Sequence, residues 1–259
     1  MSTMEKSDSP EVAAKQVNKA ASAAAESVER RGGAKENADQ QSTVRTQSRA
    51  AVSKAQTRIR DAVTRNRQGK QTALLHHISI DVLRASFFDL KRSAAPGVDY
   101  VENIEANLAN LHRRVHTGAY PALPSRRTYI PKTDGRQRPL GIAGLEDKIV
   151  QSAVVAILTP IYEAEFLGFS YGFRPGRNQH QALDALAFGI GKRQINWVLD
   201  CDVQSFFDKV NQDWLIRFVE HRIGDRRIIR LITKWLKAGA LEDGRLVVTE
   251  EGARSRPVR

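Results

Sequence analysis

All 17 phenylalanine, tyrosine and tryptophan residues of this 259-residue chain lie at or after Phe87. Aromatic side chains supply much of the buried area in a core, so the first third has little with which to build one. Residues 1–70 are rich in Ala, Ser, Gln, Lys and Arg, with a few scattered Val and one Ile. A segment of that kind buries too little apolar area to offset its chain entropy. The expectation is a disordered arm over residues 1–70, with transient Ala-rich helix at 12–28, and a folded region after it.

Charge points to the class of partner. The net charge is +12, and residues 44–70 hold eight Lys or Arg against one acid, Asp61. A basic arm leading into a basic domain suits a polyanion, because each neutralised phosphate releases counterions. A solvated tail with no specific partner would have the same composition. A membrane surface is disfavoured, since no apolar face accompanies the charge. No apolar run reaches transmembrane length, and no signal-peptide pattern opens the chain. One cysteine, Cys201, excludes an internal disulfide framework and fits a reducing, cytoplasmic setting.

From Thr72 onward the pattern is globular. Residues 74–91 read as a helix closed by a turn at Pro96-Gly97. Residues 126–130 and 137–142 are short extended runs around Thr133-Asp134-Gly135-Arg136, a hairpin signal. Leu145, Ile149, Ala153, Ile157 and Ile161 recur at helical spacing, predicting a buried face on a helix over 145–165. Residues 169–177 (FSYGFRPGR) form a Gly/Pro-punctuated loop, followed by a helix over 179–192. An apolar strand is expected at 196–202, two helices at 213–223 and 226–237, and a final strand at 245–249 behind the turn at Glu242-Asp243-Gly244. On the second of those helices Arg226, Arg227, Arg230, Lys234 and Lys237 lie largely off the apolar stripe. Helices and short strands without a regular βαβ rhythm give an α+β class.

Three segments carry chemistry-bearing residues. Residues 197–208 (WVLDCDVQSFFD) read as a strand that delivers a carboxylate to its end, one way to hold a divalent metal beside a phosphate. Asp202 is that carboxylate; Phe206 and Phe207 follow as a nucleotide-pocket floor. Asp200 and Asp208 are more simply structural, and Cys201 is packing. The hairpin holds Lys132 and Arg138 on flanking strands, where they can close over a triphosphate. The loop adds Arg174 and Arg177 beside glycines and aromatics, a mix suited to phosphate contacts and base stacking. Each has a plain structural alternative: a surface hairpin, a packed loop, a capped strand end.

Five blocks stand in order: AAPGVD at 94–99, YIPKTDGRQRPLGI at 129–142, EDKIVQ at 146–151, FSYGFRPGR at 169–177 and DVQSFFD at 202–208. Together they resemble the bacterial group II intron reverse transcriptases, the intron-encoded maturases, from about residue 72 to 252. The resemblance implies a right-hand RNA-directed DNA polymerase working with two Mg²⁺ ions on dNTP and an RNA/DNA template-primer, and binding intron RNA. It implies a fingers-like region over 71–195 and the first part of a palm over 196–259. By the same match Asp202 is the first metal-binding aspartate, and the backbone carbonyl of Val203 helps hold the second metal. Phe207, or else Phe206, lies against the incoming sugar, and Lys132 and Arg138 grip the triphosphate.

The chain departs from the pattern near its end. VVTEEG at 247–252 approaches a family block shaping the nucleotide pocket, but a basic ARSRPVR follows. The family's second aspartate hairpin has no counterpart here, so the expectation is a fragment inactive as a polymerase alone, ended by a frameshift or a premature stop. Two other readings stand beside it. One is an RNA-binding module without catalysis. The other is a phosphatase using Asp200-Cys201-Asp202, which Gln204 disfavours because such motifs usually carry Thr or Val there.

Overall fold

The computed structural model describes residues 30–90, 98–131, 135, 137–193, 195–204, 206–247 and 252. The chain divides into two units, 1–40 and 41–259. Of the first, the described residues 30–40 are helical.

The second unit is organised around a buried helix. α5 (Leu145–Glu163) carries Ile149, Ala153, Ile157 and Ile161 on one side, all essentially inaccessible, as the spacing predicts. Helix α2 (Ile80–Asp89) packs against α5 with Val82 and Leu83. Helix α4 (Ile104–Thr117) follows the short α3 (Val98–Glu102) and adds Leu108, Leu111 and Val115 to the same core. Arg84 ties α2 to α4 through Glu105 at 2.8 and 2.5 Å. The turn at Pro96-Gly97 lies outside the described residues. The expected helix over 74–91 is two pieces, a 3₁₀ turn at Leu75–His77 and then α2. Ser79 breaks it: extended, it caps α2 by accepting from the Val82 amide at 3.3 Å.

The expected disordered arm over 1–70 needs correction. α1 (Arg30–Arg65) is a continuous helix through most of its second half, while residues 1–29, including the expected helix at 12–28, lie outside the described residues. Ser48, Ala55, Ile59 and Val63 are buried and Val52 half-buried, a stripe at spacings of three and four. Few apolar residues suffice because all fall on one face. A hydrogen bond adds to this docking. Pro160 sits inside α5 and has no amide proton, which leaves the Ala156 carbonyl unpaired. Gln56 of α1 donates to that carbonyl at 3.0 Å.

After the loop at 164–178 come α6 (Gln179–Arg193), α7 (Phe206–Lys209), α8 (Gln212–Arg222) and α9 (Arg226–Lys237). Asn211 and Asp225 cap α8 and α9, each accepting a backbone amide. Ile223, Ile228 and Leu231 enter the core shared by α1, α2, α4 and α5. Asp225 is buried and receives the amides of Leu74 and Leu75, both at 2.9 Å. Residues 69–75 are thereby fixed to the α8–α9 junction, where the Gln71 amide also donates to the Arg222 carbonyl at 2.8 Å.

One four-stranded sheet runs in the order β2-β1-β3-β4. β1 (Ser125–Pro131) pairs antiparallel with β2 (Gln137–Ile142) and parallel with β3 (Ala240–Glu242). β4 (Arg245–Val247) closes a two-residue hairpin through Asp243 at φ 48° and Gly244 at φ 77°, the left-handed pair that such a turn requires. Residues 248 and 249 of the expected last strand lie outside the described residues. The expected strand at 196–202 does not form: 195–203 is irregular and solvent-facing, with Trp197 91% and Leu199 87% exposed. A strand exists only where a neighbour pairs its amides and carbonyls, and no strand among the described residues pairs with this one.

Candidate functional site

The β1–β2 hairpin is the best-formed piece of the expected site. Its register places Ile130 opposite Arg138 and Pro131 opposite Gln137. Lys132 lies outside the described residues; Arg138 is placed by its backbone, one pair from the end of the ladder. Pro139 is tolerated because β2 is an edge strand. On β1, the Arg127 guanidinium reaches Glu242 of β3 at 3.1 Å, and the Tyr129 hydroxyl donates to the same carboxylate. That hydroxyl, and then Arg127, hold the Glu242 carboxyl below its ordinary range. The hairpin is thus locked to β3 at its base while Tyr129 and Ile130 face solvent.

The FSYGFRPGR loop is built by Arg174. Its Nε lies 3.2 and 3.3 Å from the Glu163 carboxylate, its Nη2 at 3.0 Å, and its Nη1 donates to the carbonyls of Leu167 and Ser170 at 3.0 and 2.8 Å. The guanidinium also stacks 4.8 Å over Phe166, and the side chain is only 7% exposed. Its donors are engaged inside the protein, so Arg174 organises the loop and is not presented to a phosphate. Arg177 differs: it is exposed, with one long bond to the Gly168 carbonyl and a place 5.2 Å over Tyr171. Phe173 sits between them at φ 57°, an uncommon conformation for a bulky residue.

Asp202 lies on the exposed irregular segment, and among the described residues it makes no hydrogen bond or ion pair. Val203 is exposed beside it. Phe206 and Phe207 open α7 with their rings 5.3 Å apart in an edge-on pair, Phe206 exposed and Phe207 half-buried.

Residues 130–257 match the model of the family described as reverse transcriptase (RNA-dependent DNA polymerase). That span belongs to the reverse transcriptase family. Protein YkfC of Escherichia coli K12 is 39% identical over 171 residues, covering 62% of this chain and 45% of YkfC. The group II intron-encoded protein LtrA of Lactococcus lactis is 36% identical over 149 residues, covering 57% of this chain and 24% of LtrA. A 91 kDa protein in the cob intron of Schizosaccharomyces pombe is 37% identical over 139 residues, 52% of this chain and 17% of its own length. The chain spans less than half the length of each of these relatives.

Reverse transcriptases use divalent metal ions. The described part of this reverse transcriptase region does not fit such an ion: among the described residues no three His, Cys, Asp or Glu side chains cluster to hold one. Asp202 offers one exposed carboxylate, and phosphoryl transfer through a pair of metals needs carboxylates converging from several positions. No helix among the described residues is long and apolar enough to cross a membrane.

A supporting network behind the hairpin escaped the sequence. The buried Asp147 of the EDKIVQ block accepts from the Tyr120 hydroxyl, from Trp235 Nε1 at 3.2 Å and from the Leu123 amide at 3.3 Å. Burial pushes its carboxyl up, against the pull of those donors. Burial, and then the hydrogen bond to Asp147, also raise the Tyr120 phenol. The network fixes the start of β1 against α5 and α9. Its only sequence signal was an acid placed at the beginning of an apolar helix.

Proposed function

We propose that this chain is the fingers and first palm portion of a group II intron reverse transcriptase/maturase, and that its working capacity as it stands is RNA binding. The observation that carries the reading is the formed β1–β2 hairpin, bearing the YIPKTDGRQRPLGI sequence, within a span matching the reverse transcriptase family. In the intact polymerase, Lys132 and Arg138 would meet the triphosphate of a dNTP, and Phe207 or Phe206 its sugar. Asp202 and the Val203 carbonyl would serve the Mg²⁺ pair, on an RNA/DNA template-primer. Among the described residues the carboxylates fall short of a two-metal set. Arg177, unlike Arg174, remains a candidate for nucleic-acid contact. A reducing, cytoplasmic setting, in keeping with the single Cys201, is part of the same reading.

Phosphate contacts need no metal-binding carboxylate. Filter-binding titration of the purified chain against intron RNA, across a salt series, tests the reading. Binding that weakens steeply with salt supports it, and absence of binding at low salt removes it. Primer extension on the same sample should give no dNTP incorporation; robust incorporation would refute the inactive-fragment reading.

A further inference from the structure

α9 packs Ile228, Leu231 and Leu236 into the core, and its other face is cationic. Arg226, Arg230, Lys234 and Lys237 follow one another at spacings of four, four and three, so they form a line about 16 Å long at ~1.5 Å rise per residue. This line is one wall of a groove of about 560 Å³ whose other wall is Pro121 and Ala122. A second recess of about 200 Å³ continues it past Gly118 and shares Arg230 and Lys234. Neither is lined by a carboxylate. The neighbouring acids are engaged: Asp225 with Arg227 and the Leu74 and Leu75 amides, Glu146 with Arg114 at 2.6 Å.

A solvated helix face is the simpler account, and it explains part of the pattern. Lys234 donates to the Gly118 and Tyr120 carbonyls at 2.9 and 2.6 Å, closing the C-terminus of α4, where Gly118 takes φ 81°. Arg230 stands close by, where the negative end of α4 favours a cation. Lys237, in the last turn of α9, is likewise favoured by that helix's dipole, but Arg226 gains nothing of that kind. Arg226 stands in the first turn of α9, with no acid in that turn, so it opposes the helix dipole. Like charges at i,i+4 add mutual repulsion. Among the described residues Arg226, Arg230 and Lys237 have no hydrogen-bond or ion-pair partner. Local charge rules broken without internal compensation mark a site whose partner comes from outside.

We infer that the groove between α9 and the 118–122 connection binds the phosphate backbone of RNA, through Arg226, Arg230 and Lys237. The inference rests on the RNA-binding reading above and adds the place. A single RNA strand laid along this ~16 Å line passes several phosphates. The shallow apolar wall of Pro121 and Ala122 offers no base-edge donors, so recognition there is of the backbone, not of sequence.

The test uses the full chain and a fluorescein-labelled single-stranded RNA followed by anisotropy. Replacing Arg226→Gln, Arg230→Gln and Lys237→Gln together, leaving Lys234 to hold α4, should weaken binding at least roughly tenfold. It should also flatten the slope of log K against log salt by about 2, at ~0.7 per phosphate contact. Unchanged affinity and slope would overturn the groove while leaving RNA binding intact; no binding by the wild-type chain would remove both. Should the triple variant not fold, lysine acylation of the wild-type chain gives the same decision. Bound RNA should shield Lys237 several-fold from an N-hydroxysuccinimide ester, and unaltered reactivity of Lys237 would overturn the proposal. Equal shielding by polyglutamate and by RNA would also overturn it, assigning the groove to an acidic protein.

Discussion

α5 and the stretch from 179 to 203 are both rich in large apolar residues, yet they meet opposite fates. Ile149, Ile157 and Ile161 of α5 are inaccessible, whereas Leu183, Phe188, Trp197 and Leu199 face solvent. Composition does not separate them. α5 has facing partners in α2 and in the stripe of α1, and its helical spacing collects its apolar groups on the side those partners cover. The later stretch has its hydrophobic residues on α6 and on an irregular segment, with no strand paired to it among the described residues. Burial is a property of a fitted pair of surfaces, and apolar residues alone do not produce it.

The comparison breaks most readily at single large side chains. Ile157→Ala should cost about 3–4 kcal/mol, because a fully packed site loses transfer energy and gains a cavity. Trp197→Ala, which removes a larger but exposed group, should stay within roughly 0.5 kcal/mol. Urea unfolding of the two variants decides it; a Trp197 cost comparable to that at Ile157 would show that the exposed stretch packs in solution.

Asp225→Asn comes next, at about 2–3 kcal/mol, since a buried carboxylate with charged and backbone donors is replaced by a weaker acceptor. Burial works against the charged form of Asp225, but Arg227 and the amides of Leu75, Leu74 and Arg227 outweigh it and hold the carboxyl below its ordinary range. Its stabilisation is therefore complete above the unfolded value near 3.9 and disappears as pH falls through the folded value. Acid titration of stability should be shallower in the Asn variant below about pH 4 than in the parent. Identical acid profiles would contradict this.

The smallest effect sharpens the boundary of the packed body. Gln56→Ala should cost about 1 kcal/mol by leaving the Ala156 carbonyl without a partner beside Pro160. Hydrogen exchange should show faster opening of α1 than of α5 in that variant. No change in either would mean that α1 is held by its apolar stripe alone.

Periodicity made α5, α6, α8 and α9 legible, and turn chemistry located both hairpins, because these depend on residues within a few positions of one another. α1 was hidden by averaging: its region is polar overall, and the face formed by Val52, Ala55, Ile59 and Val63 occupies one residue in three or four. Ser79 caps α2 locally, but the 3₁₀ turn before it is anchored by Asp225, some 150 residues away. The strand expected at 196–202 has the right residues but lacks a neighbour, which no local pattern reports. Arg174 looked like a phosphate ligand because Glu163 and two loop carbonyls cannot be seen as its partners until the loop is closed. Asp202 and the hairpin were identified by their motifs, which describe the family; their surroundings in this chain had to come from the structure.

The carboxylate at 225 also sets a timetable. Amides at 74 and 75 wait for a group encoded about 150 positions later, and contacts of such span form late because a long loop must close first. On a ribosome, the linker after α1 therefore stays open until the α8–α9 junction has left the exit tunnel. For most of its synthesis the nascent chain has α2, α4 and α5 available to collapse, with the seam between its two ends still unsewn.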